Sequence, residues 1–351
     1  MPKARTAAKT PRTIQDVARL AQVSAGTVSR VMHDHPAVNP AMRERVLAAV
    51  QTLGYQPNAI AQSMRMSATH LIGCLVSDIG NPFYASVLKS VELVMAEAGY
   101  TLLIASTDNR IDREIALLAA LASRRVDGLI AVPSDERDKL LLRAYAQADI
   151  PLVLMEREIR LHADAVVTDH RSGTLAATNH LLGLGHRRVA LITGLPTTRS
   201  GRDRIGGYRA ALIEAQVPAD AALVCAGGLS WNDGFAATQG LLALHRPPTA
   251  IIAAGNHLLA GVLRAVASAG LTVPNDLSVL SAGDSELAEL AATPIGVIRW
   301  DLAAFGQEVA RLLLDRIRTP SAAPRRTVMP TELVTRASCG PPRSLFQALS
   351  T

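Results

Sequence analysis

The sequence predicts a small all-helical N-terminal module followed by a large α/β domain of parallel sheets covered by helices. Three observations carry that expectation. The 351 residues exceed what one core holds, since domains run to roughly 100 to 200 residues. The net charge of +6 sits entirely in residues 1–66, where nine Lys/Arg stand against three Asp/Glu, while the rest of the chain carries 27 of each. From Leu71 onward, short apolar runs alternate with stretches of helical length, several closed by a glycine such as Gly99 or Gly270, which is the pattern of repeated βα units.

Composition narrows the function classes. Apolar residues make up 49% and charged residues 19% of the chain, a balance that supports packed cores and excludes extended disorder. No run of about 18 uncharged apolar residues occurs. The opening MPKARTAAKTPRT is basic without the apolar core of a secretory signal, so the chain is expected in the cytoplasm. Cys74, Cys225 and Cys339 are odd in number and match no metal spacing, and are expected as reduced structural thiols. A cationic segment on a neutral body seeks a polyanion, and nucleic acid fits better than membrane because no strongly amphipathic basic helix is present.

Within the N-terminal segment, residues 1–12 form a basic tail and residues 13–57 a helical unit. Thr13 is placed to cap a helix whose Ile14, Val17, Ala18 and Ala21 share one face. That helix ends near Gln22, and after a tight turn Ser24 caps a second, short helix whose Val28 and Val31 pack back on the first. Asn39-Pro40 starts a third helix, with Val46, Leu47, Val50 and Leu53 facing inward and Gly54 closing it. The second helix leaves Ala25, Gly26, Thr27, Ser29 and Arg30 outward, short groups that let a helix approach a groove beside one arginine able to pair bidentately with guanine.

Taken whole, TIQDVARLAQVSAGTVSRVMHDHPAVNPAMRERVLAAVQTLGYQPNAIAQSMR closely resembles the DNA-binding headpiece of the lactose/galactose repressor (LacI/GalR) family, without a gap from residue 13 to 65. The resemblance implies that the helix from Ala25 to Met32 enters the major groove, with Ala25, Gly26 and Arg30 toward bases and Thr27 and Ser29 nearer phosphates. It also implies DNA contacts from Thr13, Ser24, Tyr55, Asn58, Ala61 and Met64. Ala25 and Gly26 offer little to hydrogen-bond a base, so Arg30 carries more of the readout. Residues 58–68 would be a hinge and linker; the hinge helix orders only when two copies lie side by side in the minor groove, because eight isolated residues do not overcome helix nucleation. Met64 stands where the family typically wedges a leucine, and its apolar, flexible side chain suits that role.

In the large domain, LIGCLV, TLLIAS, DGLIAV, PLVLME, VALIT, ALVCA, AIIAA and LSVLSA are the expected strands. Pattern alone leaves a single barrel and two doubly wound sheets both open. Leu71 to Glu92, GHRRVALITG, RIGGYRAAL and AGLTVPNDLSVLSAGD are similar to the effector domain of the same repressors, whose fold is that of periplasmic sugar-binding proteins. The resemblance therefore implies two doubly wound subdomains within residues 69–338: one of about 69–167 plus 298–328, the other of about 168–297 plus 329–338, with crossings near 166–169, 297–301 and 327–331. Residues 339–351 form a short tail without the leucine heptads of a tetramerising bundle, and a homodimer on a palindromic operator is the economical assembly.

The ligand would sit between the subdomains, at the carboxyl ends of the strands. By family position the effector contacts are Asp78, Phe83, Tyr84, Glu156, Arg204, Asn256, His257 and Gly283. Several departures bear on the ligand. Relatives binding neutral sugars commonly place aspartate where this chain has Gly283, and Asn-Asp where it has Asn256-His257. An aromatic that stacks on ligand in some relatives is here Leu229, with Trp231 two residues on as a substitute. With fewer acids beside Arg199, Arg202 and Arg204, the cleft tilts from a neutral sugar toward a sugar acid or phosphorylated sugar. Neither a cofactor nor a metal is expected: His33 and His35 lie in a loop without a third ligand and are expected to be solvated, and His180 and His186 are scattered. The rival readings fail on motifs. A nucleotide-dependent enzyme would need a phosphate loop, whereas Gly183 to His186 lacks the third glycine, and an exported sugar-binding protein would need a signal and no headpiece.

Overall fold

A computed structural model describes residues 12–32, 35–55 and 68–342, and divides the chain into two compact units that part at Thr69 and His70. The described residues of the first unit form three helices. Thr13 and Asp16 form a capping box on α1 (Ile14–Ala21), which ends at Gln22 in the left-handed region. Ser24 Oγ accepts from the Thr27 amide at 3.1 Å at the start of α2 (Ala25–Met32). Asn39 caps α3 (Pro40–Leu53) and Gly54 ends it. Their core is Val17, Ala18, Ala21, Val28, Val31, Val46 and Ala49, with Val50, Leu53 and Tyr55 packed at its edge. Leu47 corrects the expectation, being 46% exposed. The buried stripe of α3 follows 46, 49, 50 and 53, and Leu47 lies about 100° around the helix from Val46, beyond the reach of so narrow a core.

The second unit contains two six-stranded sheets, which settles the barrel alternative. The strands of the first are β1 (Leu71–Val76), β2 (Thr101–Ser106), β3 (Gly128–Ala131), β4 (Leu152–Met155), β5 (Asp164–Thr168) and β11 (Arg326–Met329), in the order β11-β5-β4-β3-β1-β2. All are parallel. The second runs β12-β10-β9-β8-β6-β7, from β6 (Val189–Gly194), β7 (Val224–Gly227), β8 (Ala250–Ala253), β9 (Ser278–Ala282), β10 (Gly296–Arg299) and β12 (Glu332–Val334). Only β12 is antiparallel, against β10. All eight apolar runs are strands, two of them at full length, VALIT lengthened by Gly194 and the other five trimmed at an end. The four additional strands, β5, β10, β11 and β12, lie at the crossings between sheets.

Period-two alternation explains why LIGCLV is apolar throughout. Ile72, Cys74 and Val76 face a core shared with α4 (Pro82–Glu97) and α12 (Leu302–Arg318). Leu75 faces the opposite core with α5 (Ile111–Ser123) and α6 (Lys139–Ala148). A strand buried on both faces has no polar side to show. The second sheet packs in the same way against α7 (His170–Gly183), α8 (Arg199–Glu214), α9 (Trp231–Leu242) and α10 (Asn256–Ser268). Where α9 crosses α10, a side chain at Gly261 would lie 2.2 Å from the Trp231 carbonyl and one at Gly234 2.5 Å from that of Leu258, so the contact requires glycine on both helices. A short helix, α11 (Glu286–Leu290), follows β9.

Two polar hubs brace the lobes. Asp164, fully buried, accepts from Arg316 at 2.8 and 3.1 Å and from the Arg325 amide at 2.6 Å. His186 is 1% exposed and bonded to Thr249, Ser278 and the Gly340 carbonyl. This histidine is therefore a structural tie rather than a scattered surface group, and it holds the chain against the second lobe as far as Gly340. The three cysteines are free; burial raises the Cys74 thiol to about 12, leaving it inert. Among the described residues no helix is long and apolar enough to cross a membrane, and no three His, Cys, Asp or Glu cluster as metal ligands.

Candidate functional site

In the first unit, packing of Val28 and Val31 against the core turns the opposite side of α2 outward, so that Gly26 and Arg30 are exposed and Ala25, Thr27 and Ser29 half-buried. The Thr27 hydroxyl lies 3.0 Å from Ser24 Oγ, within the helix cap. Arg30 curls back over Gly26, with Nε donating to the Gly26 carbonyl at 3.4 Å. A contact that long is weak, and it leaves the guanidinium free to extend. Thr13 is exposed in its capping box, and Tyr55 packs on the core edge with its amide donating to the Val50 carbonyl at 3.1 Å. Asn58, Ala61 and Met64, together with the basic tail and His33, lie outside the described residues.

In the second unit, strand ends of both sheets face one another across a cavity of about 110 Å³. Its wall includes Phe83, Tyr84, Glu156, Arg204, Asn256 and Gly283 of the predicted set. Asn81-Pro82 starts α4 with a side-chain cap to the Phe83 amide, fixing Phe83 and Tyr84 at the mouth of the first helical turn. Phe83 meets Trp300 at 6.2 Å and Phe305 at 6.0 Å between ring centres, and the Tyr84 hydroxyl bonds Ser77 at 3.0 Å. Gly283 adopts φ +118°, where a side chain would be strained, and a Cβ there would stand 3.1 Å from Asn256 Oδ1. The missing aspartate is thus matched by a backbone that only glycine holds comfortably.

Glu156 ends β4 in the left-handed region at φ 57° and is buried. It accepts from Thr168 Oγ1 and from His170 Nε2, the latter at 2.7 Å. Burial alone would raise its pKa, but the charge that His170 takes on as pH falls, the His170 and Thr168 hydrogen bonds and nearby Arg204 outweigh that and hold it at about 2. Burial, then Arg204, lowers His170 despite Glu156, so His170 donates to the carboxylate as a neutral imidazole. Arg157 donates to the carbonyls of Glu156 and Pro133, both at 3.0 Å, and to Ser200 Oγ at 3.4 Å, without touching the Glu156 carboxylate.

Arg204, on α8, is 8% exposed. Its Nε is buried with no hydrogen-bond partner among the described residues, and burial pulls its pKa down to about 10, opposed by Glu156. It remains a cation at neutral pH. Arg199 and Arg202 correct the expectation of a three-arginine cluster. Arg199 pairs with Asp203 at 2.9 Å and Glu158 at 3.4 Å, and Arg202 with Glu136 at 2.8 Å. Trp231 corrects another: it is 43% exposed under the Arg264 guanidinium and does not line the cavity. Leu229 does, and the aromatic wall is completed by Trp300. Asp78 and His257 lie outside the lining and face each other at 3.8 Å, joining the two lobes. Sequence reasoning missed His170 and Trp300. Each is one or two residues past a strand end, the same signal that singled out Asp78 and Glu156.

Comparison with known proteins adds two family matches. Residues 13–58 match the model for bacterial regulatory proteins of the lacI family, and residues 178–339 match a periplasmic binding protein-like domain. The chain is 31% identical over 327 residues to the HTH-type transcriptional repressor PurR of Aliivibrio salmonicida, covering 93% of this chain and 98% of that one. It is 33% identical over 333 residues to the ribose operon repressor of Haemophilus influenzae, with the same coverage. A solved lac repressor dimer, bound to operator and an anti-inducer, superposes with a TM-score of 0.83 at 26% identity, covering 94% of this chain and all of that one.

Proposed function

The chain belongs to the lacI family of bacterial regulatory proteins, and from that premise we propose that it is a cytoplasmic repressor of carbohydrate or sugar-acid metabolism genes, binding a palindromic operator as a homodimer under the control of a small effector. It is a DNA-binding transcriptional regulator. The observation that carries the effector half is the buried, unpartnered Arg204 Nε in a cavity between two lobes. Such a group is costly to keep unless something else binds it.

The proposed DNA contacts are Thr13, Ser24, Ala25, Gly26, Thr27, Ser29, Arg30, Tyr55, Asn58, Ala61 and Met64. The exposed Gly26–Arg30 face of α2 supports the groove-reading part of that set. The proposed effector contacts are Phe83, Tyr84, Glu156, Arg204, Asn256 and Gly283 in the cavity, with Asp78 and His257 as a clasp between the lobes. Glu156 is held by a neutral histidine and a threonine, a rigid acceptor for ligand hydroxyls. In this reading the ligand acts through geometry. The three crossings join the lobes, a bound molecule changes how they stand, and that orientation sets whether two hinge segments lie close enough to fold on DNA.

A piece beginning at Thr69 tests the division of labour. It should stay folded, keep ligand binding and lose duplex binding, and retained operator affinity in that piece would overturn the assignment.

A further inference from the structure

We propose that the ligand of this cleft is a hydroxy carboxylic acid, held by its carboxylate on Arg204 and selected over the matching neutral sugar and sugar phosphate. The inference rests on the cleft being the effector site and commits that site to one chemistry.

Charge around the cavity sets the first constraint. Asp284 and Arg336 cancel in a bidentate pair at 3.0 and 3.1 Å. His170 is neutral. What remains is two guanidiniums, Arg157 and Arg204, against the single carboxylate of Glu156, a surplus of one positive charge. Nε and Nη1 of Arg157 are directed to the Pro133 and Glu156 carbonyls and the Ser200 hydroxyl, whereas the buried Nε of Arg204 has no partner, so Arg204 is the cation the protein satisfies less. One ligand carboxylate balances the surplus and matches the guanidinium fork. A phosphate monoester brings about −1.5 to −2 at neutral pH, which exceeds the surplus and is repelled by Glu156.

Two further groups describe the remainder of the ligand. Trp300 Nε1 is a buried donor without a partner, and Asn256 Oδ1 a buried acceptor without one. Both residues line the same cavity as Arg204. A hydroxyl satisfies either, since it donates and accepts, whereas an apolar acid would leave both unsatisfied at a cost. Asn256 also opens α10, whose N-cap, Gly255, supplies no side-chain hydrogen bond. Gly255 and Asn256 both line the cavity, so the positive end of that helix borders it and adds to the preference for an anion. Phe83, Leu229 and Leu302 supply apolar faces for the carbon skeleton.

The test is calorimetric titration of the full chain with three matched sets: D-glycerate, glycerol and glycerol 3-phosphate; D-gluconate, D-glucose and glucose 6-phosphate; D-galacturonate, D-galactose and galactose 1-phosphate. In at least one set the acid should bind about 10- to 100-fold tighter than both counterparts, the range of a charged hydrogen-bond pair. Arg204→Gln should erase that preference, and Arg204→Lys, which keeps charge without the fork, should restore part of it. The proposal is overturned if no acid binds, if a neutral or phosphorylated member binds tightest, or if the acid preference survives Arg204→Gln. A neutral or phosphorylated ligand whose binding is lost in Phe83→Ala would sink the acid reading and leave the cleft reading standing. A ligand indifferent to both Phe83→Ala and Arg204→Gln would take down both.

Discussion

Replacing Arg204 by methionine should make the ligand-free protein more stable. The guanidinium is 8% exposed with an unpartnered Nε, and folding lowers its pKa from 12.5 to about 10. A cation whose folded pKa lies below its unfolded one is penalised on folding at every pH below the folded value, and the penalty fades only as pH rises past about 10. At ~1.4 kcal/mol per tenfold, that fall is worth about 3 kcal/mol. Methionine keeps most of the aliphatic stem and removes the charge. Some of the gain is returned, because Glu156 loses a cation that helps keep it ionised, leaving roughly 1 to 2 kcal/mol net. In a domain of this size that raises Tm by about 2 to 6 °C, read by scanning calorimetry without ligand at pH 7.5. The same variant should lose effector binding, a trade of stability for function that binding sites commonly show. A Tm lower than that of the unmodified chain would mean that the protein itself satisfies Arg204, and would remove the main argument for a ligand there.

Three other outcomes follow from the same geometry. Arg30→Ala should cost about 1 to 3 kcal/mol on a selected palindromic duplex and much less on random DNA in fluorescence anisotropy; equal losses on both would make Arg30 a phosphate contact. Asp164→Ala strands buried Arg316 and should destabilise by about 3 to 5 kcal/mol, lowering Tm by more than about 6 °C, whereas a near-neutral result would show that the hub relaxes without it. In urea unfolding from pH 7 to 3, the His170 contribution is complete above 6.5 and declines below it, because its folded pKa is lowered. The Glu156 contribution is complete above 4.5 and is lost toward about 2. Glu156→Gln should accordingly flatten the acid limb below pH 4.5, and an unchanged limb would contradict the burial argument.

Runs such as LIGCLV and AIIAA were legible as strands because burial on both faces leaves only apolar residues, and Thr13, Asn39-Pro40 and Gly54 marked helix ends through local hydrogen bonding alone. The strands RTVM and ELV were not legible. They are short, partly exposed segments at the crossings, and their pairing is decided by strands more than 30 residues away. The cleft was half legible for the same reason. Family position found Phe83, Glu156, Arg204 and Asn256, of which Glu156 and Asn256 stand within three residues of a strand end. Family position singled out Arg204, but the sequence did not say that Arg199 and Arg202 would be taken up by carboxylates, because that depends on Glu158 and Glu136 from the other lobe and on Asp203. Trp231 likewise had two places to go, and Arg264 on the neighbouring helix holds it outside.

The central claim is that a ligand in the cleft controls affinity for DNA. The most direct measurement is an anisotropy titration of the full chain on a palindromic duplex selected from a random pool, with and without the acid that binds tightest. Saturating acid should change the operator Kd by about 5- to 150-fold, the range of typical coupling energies. The Arg204→Gln variant should bind the same duplex without responding to the acid. An operator Kd unmoved by saturating ligand, or an Arg204→Gln variant that responds as fully as the unmodified chain, would contradict the claim.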